Sequence, residues 1–380
     1  MTPLARQLVR RIAHDGPIGL DSYMRDCLLH PEHGYYTTAE PFGAEGDFTT
    51  APEITQMFGE LLGLWLAQCW LDQGAPNPFY LAELGPGRGT LMADALRAGR
   101  GVPGFLAAAR PVLVEASPRL IARQRATLEG LDLPKPPRWI DRVEDLPEGP
   151  LFLLANEFFD ALPIRQFQRH ADGWQERVVG LAEAAGGAEG TEGPSLTLGL
   201  TPPARLGELA HRLADTGPGD VVEIRPAANA ILATIAGRIA ADGGAALIVD
   251  YGDWQSLGDT FQAVAGHVPV DPLAAPGQAD LTAHVDFARL AEAAQAAGAR
   301  ATRMTTQGAF LEALGIGARA ERLARTLAAR PPDGGAAGNP ALEAHLRAYR
   351  RLTHPDEMGS LFKTIAIHPI ETSAPPGFGS

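Results

Sequence analysis

The chain has 380 residues, 45% of them hydrophobic, and a formal net charge of −13. That length suits a core domain carrying an elaboration, and no apolar run is long enough to cross a bilayer. The acidity argues against a basic face for nucleic-acid phosphates, and two cysteines, Cys27 and Cys69, make neither a disulfide framework nor a metal cluster and fit a reducing compartment.

Leu4 to Ile12 reads as a helix. No secretory apolar region precedes it, and Arg6, Arg10 and Arg11 are taken as part of a first helix of the mature domain in preference to a transit peptide. A second helix follows Asp21, with Tyr23, Met24, Cys27 and Leu28 on its inner side. The stretch from His30 to Glu53, HPEHGYYTTAEPFGAEGDFTTAPE, has little periodicity but many turn residues, aromatics and acids. Long loops of that composition carry function more often than disorder. Cys27, His30 and His33 match no zinc spacing, so no metal is expected. Asp47 and Glu53 are the polar candidates in this loop, against a plainer reading in which Asp47 makes an Asx turn and Pro52 a stop. Met57 to Leu71 is an apolar helix holding Trp65 and Trp70, suited to packing on a sheet.

The most informative stretch is FYLAELGPGRGT, residues 79–90. An apolar strand ends in Glu83. Gly85, Gly87 and Gly89 follow at alternate positions, with Pro86 between the first two, and a helix begins with Thr90 as its expected N-cap. Glycines let a ligand lie against bare backbone, and a helix start attracts an anion. The dinucleotide fingerprint needs its third glycine one residue later than Gly89. The spacing ExGxGxG, with an acid inside the turn, resembles motif I of S-adenosylmethionine methyltransferases. That cofactor has no pyrophosphate but carries an amino group. A second apolar strand, RPVLVEAS, ends at Glu115, placed to hold both ribose hydroxyls, with Ala116 and Ser117 beside it. Asp141, after the short strand Arg138-Trp139-Ile140, is a weaker adenine candidate, and a surface turn before Asp145-Leu146-Pro147 is favoured over it.

Leu151 to Ala155 is an unbroken apolar strand that runs into Asn156-Glu157-Phe158-Phe159-Asp160. Ligands bind beyond the carboxyl ends of parallel strands, and two carboxylates and an amide in five residues there point to function. Alternating segments from Ile164 to Arg225 read as an antiparallel insertion, interrupted by the low-complexity loop 182–195. Ala245 to Tyr251 is a fifth core strand, and Ala301 to Thr306 a sixth. Between them, Asp280 or Thr282 is expected to cap a helix that runs through Ala297, and Leu361 to His368 closes the sheet. The expected divisions are 1–75 for the N-terminal helices and active-site loop and 76–255 for the core, with its β insertion at about 164–225. A helical elaboration occupies 256–357, and 358–380 holds the last strand and tail.

GDFTTAPE at 46–53, ELGPGRGT at 83–90, NEFFDALP at 156–163, DLTAHVDF at 280–287 and MGSLFKTI at 358–365 together resemble the MidA family. These are S-adenosylmethionine-dependent protein arginine methyltransferases linked to the assembly of respiratory complex I. The similarity runs from about residue 5 to residue 370 and is weakest in the inserted segments. It implies an α/β class I methyltransferase fold, Rossmann-like with a mostly parallel seven-stranded sheet, carrying an N-terminal helical segment and an α+β elaboration. It further implies a protein arginine as acceptor, with symmetric dimethylation in mitochondrial members. The setting would be the cytoplasm of a bacterium or the mitochondrial matrix of a eukaryote. On this reading Glu83, Gly85, Pro86, Gly87, Gly89, Glu115, Ala116, Ser117, Asp141 and Asn156 hold the cofactor. Glu157 and Asp160 grip the acceptor guanidinium, with Asp47 or Glu53 closing from the loop. Two rivals stand beside it: a non-catalytic cofactor-binding assembly factor, and an NAD-dependent oxidoreductase, for which the glycine spacing is wrong.

Overall fold

A computed structural model describes residues 1–38, 50–182, 194–329 and 339–379. Asp47, most of the 182–195 loop and most of the loop before Pro340 lie outside them. The chain divides into two compact units, one of Thr49–Phe159, Asn229–Trp254 and Phe287–Ser380, the other of Met1–Phe48, Asp160–Ala228 and Gln255–Asp286.

The main path of the first unit's sheet has seven strands: β1 (Phe79–Leu84), β2 (Ala109–Val114), β3 (Arg138–Ile140), β4 (Leu151–Asn156), β5 (Gly244–Asp253), β6 (Arg300–Ala301) and β7 (Phe362–His368), with Thr305–Thr306 paired to β7 off that path. They lie in the order β6-β7-β5-β4-β1-β2-β3. The pairs from β5 to β3 are parallel, while β7 runs antiparallel to β5 and β6. The central strands are covered on both faces, which is why they read as continuous apolar runs: Leu151 to Ala155 and Ala245 to Val249 are all fully buried. Their register brings the carboxyl ends level, with Leu84 opposite both Val114 and Ala155, and Asn156 opposite Val249. The ladder runs one residue further at three ends. Gly85 N–H donates to the Val114 carbonyl at 3.1 Å, Glu115 N–H to Ile140 at 2.9 Å and Glu157 N–H to Val249 at 2.9 Å.

Helix α1 (Gln56–Asp72) is apolar around most of its circumference and buries Phe58, Leu62, Trp65, Leu66 and Trp70. Both tryptophans satisfy their indole N–H, on the carbonyls of Pro376 and Pro76. It crosses α2 (Thr90–Gly99) closely: a Cβ on Gly63 would stand 2.5 Å from Ala95 Cα, and one on Gly59 2.6 Å from Asp94 Cβ. Helix α3 (Pro118–Leu128) starts at Ser117, whose hydroxyl accepts the Leu120 N–H at 3.4 Å.

The other unit holds an antiparallel sheet of Ile18–Gly19, Gly173–Leu181, Arg165–His170 and Val221–Ile224 in that order, with Leu196–Leu200 paired to Gly173–Leu181. Helices Pro3–Asp15 and Leu20–Leu29 contribute Leu4, Leu8, Ile12, Tyr23 and Met24 to a core shared with Ile164, Val179 and Leu281. Here one expectation is corrected. Asp280–Thr282 is a strand on Gln262–Ala265, not the cap of a helix, and the helix begins at Phe287. Asp280, Leu281 and Thr282 are all buried, and their ladder to Gln262–Ala265 outweighs the capping signal.

Candidate active site

The glycine turn after β1 has Gly85, Gly87 and Gly89 all in the left-handed region, at φ +56°, +52° and +81°. Gly85 is exposed, and a Cβ there would come within 2.9 Å of the Phe158 ring. Only glycine leaves room for that ring and adopts that φ without strain. Phe158 thereby brings the segment after β4 onto the turn. Buried Pro86 closes the turn by accepting the Gly89 N–H at 2.7 Å. Gly89, not Thr90, is the N-cap of α2; the Thr90 hydroxyl donates instead to Glu53 Oε1 at 2.6 Å. Arg88 Nη1 stands 3.5 Å from Glu53 Oε2. Glu53, expected at the acceptor, therefore braces the glycine turn.

Glu83 is 3% exposed. It accepts the Met92 N–H from the first turn of α2, while its Oε2 is buried with no hydrogen-bond partner among the described residues. Burial pushes this carboxyl up to about 8; the Met92 N–H opposes the shift and the Glu115 charge adds to it. Across the sheet, Asn156 donates from Nδ2 to Glu157 Oε1 at 3.0 Å, and its Oδ1 is likewise buried without a partner among the described residues. Glu157 holds φ +51°, a strained value for a residue with a Cβ, and its Oε1 also accepts the Ala51 N–H at 3.2 Å. The turn is fixed behind it by Asp250, fully buried, which accepts the Phe159 N–H at 2.9 Å.

At the end of β2, Glu115 accepts the Ser117 N–H at 2.8 Å on Oε1 and Gln124 Nε2 at 3.0 Å on Oε2, and the Ala116 N–H also reaches it. Burial raises its carboxyl, and these three donors oppose the rise. Asp141 is exposed just beyond β3. Asp160 falls in the other unit. It is buried, its Oδ1 accepts the Ala161 N–H at 2.9 Å, and its carbonyl accepts the Ala283 N–H at 3.1 Å. In the same unit the Tyr36 hydroxyl donates to Asp280 at 2.8 Å, and burial, then the Asp280 and Asp160 charges, hold that phenol far above its ordinary range.

Gln124, Arg88 and Asp250 join the predicted residues without having been foreseen. A signal for Gln124 was present: it interrupts the buried stripe Leu120, Gln124, Leu128, spaced four apart on α3. Asp250 likewise ends the apolar run of β5.

Two buried acceptors lacking donors, at the level ends of adjacent strands, suit a cationic amine. A carboxylate held by backbone and amide donors keeps lone pairs for vicinal hydroxyls, and the bare glycine backbone between them suits a close-lying ligand. The strand order and this donor set define a class I S-adenosylmethionine methyltransferase. The comparisons agree. A sequence model of S-adenosyl-L-methionine-dependent methyltransferases matches residues 61–305. The protein arginine methyltransferase NDUFAF7 homolog of Drosophila melanogaster, named as mitochondrial, is 37% identical over 384 residues, covering 96% of this chain and 85% of its own length. Human mitochondrial protein arginine methyltransferase NDUFAF7 is 35% identical over 390 residues, 97% of this chain and 84% of its own. A crystal structure of a Burkholderia thailandensis protein bound to S-adenosyl-homocysteine superposes with a TM-score of 0.83 at 31% identity, covering 99% of this chain and 94% of that one. The chain belongs to the MidA/NDUFAF7 family of S-adenosylmethionine-dependent methyltransferases, and the oxidoreductase reading falls.

Proposed function

We propose that this protein methylates arginine side chains of a protein acceptor, with a respiratory complex I subunit the first acceptor to test. The observation that carries this is the strained turn at Glu157, which holds a carboxylate beyond β4 next to the glycine turn. Bound S-adenosylmethionine supplies a methyl group on a sulfonium that leaves as a neutral thioether. Glu83 and Asn156 receive its ammonium through their unpartnered oxygens, Glu115 takes the ribose hydroxyls, and the Gly85 to Gly89 backbone carries the rest. Phe158 packs against Gly85 and ties the segment after β4 to the turn. A guanidinium stays charged at neutral pH, so it must be oriented and must lose a proton as the new C–N bond forms. Glu157 is assigned both tasks: its Oε1 accepts the Ala51 and Asn156 N–H groups, which fix the carboxylate in place. Asp160, three residues on, is the second candidate carboxylate, and Asp47 a third. The setting we infer is a reducing compartment, bacterial cytoplasm or mitochondrial matrix, in keeping with two buried unpaired thiols. The curated relatives are named mitochondrial, and no helix among the described residues is long and apolar enough to cross a membrane.

Labelled methyl transfer into proteins of a lysate, with mass spectrometry of the product, tests this. Label is expected on arginine. Glu157→Gln should lower the rate by roughly 100-fold or more while leaving S-adenosyl-homocysteine affinity within about threefold. Label on another residue type, or cofactor binding with no transfer to any protein, would contradict the proposal; the latter outcome describes a scaffold.

A further inference from the structure

Gln124 is fully buried on α3, yet it spends its side chain on three groups from three separate segments. Its Nε2 donates to the Gly87 carbonyl at 2.9 Å and to Glu115 Oε2 at 3.0 Å. Its Oε1 accepts the Trp139 Nε1–H at 2.9 Å. The helix backbone also abuts the turn, since a Cβ on Gly89 would stand 3.4 Å from Gln124 Cα. Arg125, next along the helix, lies over the Trp139 ring at 4.1 Å and helps fix that indole on β3.

We propose that Gln124 is a positioning residue for the cofactor, locking the glycine turn, the ribose-binding acid and Trp139 into one arrangement. This rests on the methyltransferase reading of the site. The chemistry explains the choice of an amide. Two donors on one nitrogen can hold a carbonyl and a carboxylate together, and the oxygen can answer an indole N–H at the same time. An amide N–H fixes the Glu115 carboxyl by donation alone and leaves it lone pairs to accept from hydroxyls. A carboxylate here would repel Glu115, and an apolar side chain would remove one hydrogen bond from each of three part-buried groups.

The test is calorimetry with S-adenosyl-homocysteine on the full chain, reading affinity alone. Gln124→Met keeps the volume and should weaken binding by roughly ten- to a hundredfold. Because part of the effect runs through the acid, adding Gln124→Met to Glu115→Gln should cost less than the sum of the two separate changes. Gln124→Glu keeps the shape and covers the case in which the methionine variant does not fold. Its affinity should fall as pH rises and the introduced carboxyl ionises beside Glu115, a profile the unaltered protein lacks. Binding by both variants indistinguishable from the unaltered protein, or strictly additive losses in the Glu115 cycle, would overturn the inference and leave the cofactor reading standing. Failure of the unaltered protein to bind S-adenosyl-homocysteine would overturn both.

Discussion

Glu83 shows how one buried atom can report a ligand. Burial, with the Glu115 charge adding to it, pushes its carboxyl up to about 8, far above an exposed glutamate, and one oxygen has no donor among the described residues. At pH 7 it is mostly protonated. A cation placed against it draws the pKa down, so cofactor binding should release up to one proton near neutral pH. The heat of S-adenosyl-homocysteine binding should therefore vary with the ionisation enthalpy of the buffer, and Glu83→Gln should remove most of that part; an equal dependence in both proteins would count against the role. The same shift has a stability sign. The folded state binds more protons than the unfolded one between about 4.5 and 8, so this group's contribution is full below the lower value and is lost as pH rises through the upper. Glu83 and Glu115 were legible in the sequence because an acid at the end of an apolar strand is conspicuous. The place of Glu53 was not: its loop has no periodicity, and only the fold shows its carboxylate on Thr90 and Arg88.

The glycine turn is held in place by how closely α1 and α2 cross. Gly63 and Gly59 lie four apart and present one smooth strip to Ala95 and Asp94. Gly63→Val would drive methyl groups into the Ala95 backbone and push α2 outward together with the turn at its start. A loss of about 1–3 kcal/mol in denaturant unfolding is expected, with cofactor affinity at least roughly tenfold weaker. Stability lost without loss of affinity would show that the crossing does not set the turn. The parallel strands could be read from sequence as apolar runs buried on both faces. The strand at Asp280–Thr282 could not, because its polar ends imitate a helix cap while its partner, Gln262–Ala265, sits in a turn-rich stretch. The sixth strand was placed, but it is reduced to Arg300–Ala301, with Thr305–Thr306 separately paired to β7.

At the scale of the whole molecule, two compact units form from interleaved stretches of one chain. The smaller unit is closed by bonds between residues far apart in sequence. The Thr2 hydroxyl donates to the Pro276 carbonyl at 3.0 Å, and the Arg225 guanidinium reaches the carbonyls of Leu162, Ala283 and His284. No local pattern encodes such pairings, which is why the core sheet was readable and the joining of Met1–Phe48 to two later segments was not. The residues proposed to hold the cofactor all come from the larger unit. A crystal structure of the full chain with S-adenosyl-homocysteine tests that assignment most directly. The expected result is the amino group against Glu83 Oε2 and Asn156 Oδ1 and the ribose hydroxyls on Glu115. A ligand bound away from the glycine turn, or an amino group facing solvent with those two oxygens still unpartnered, would contradict it.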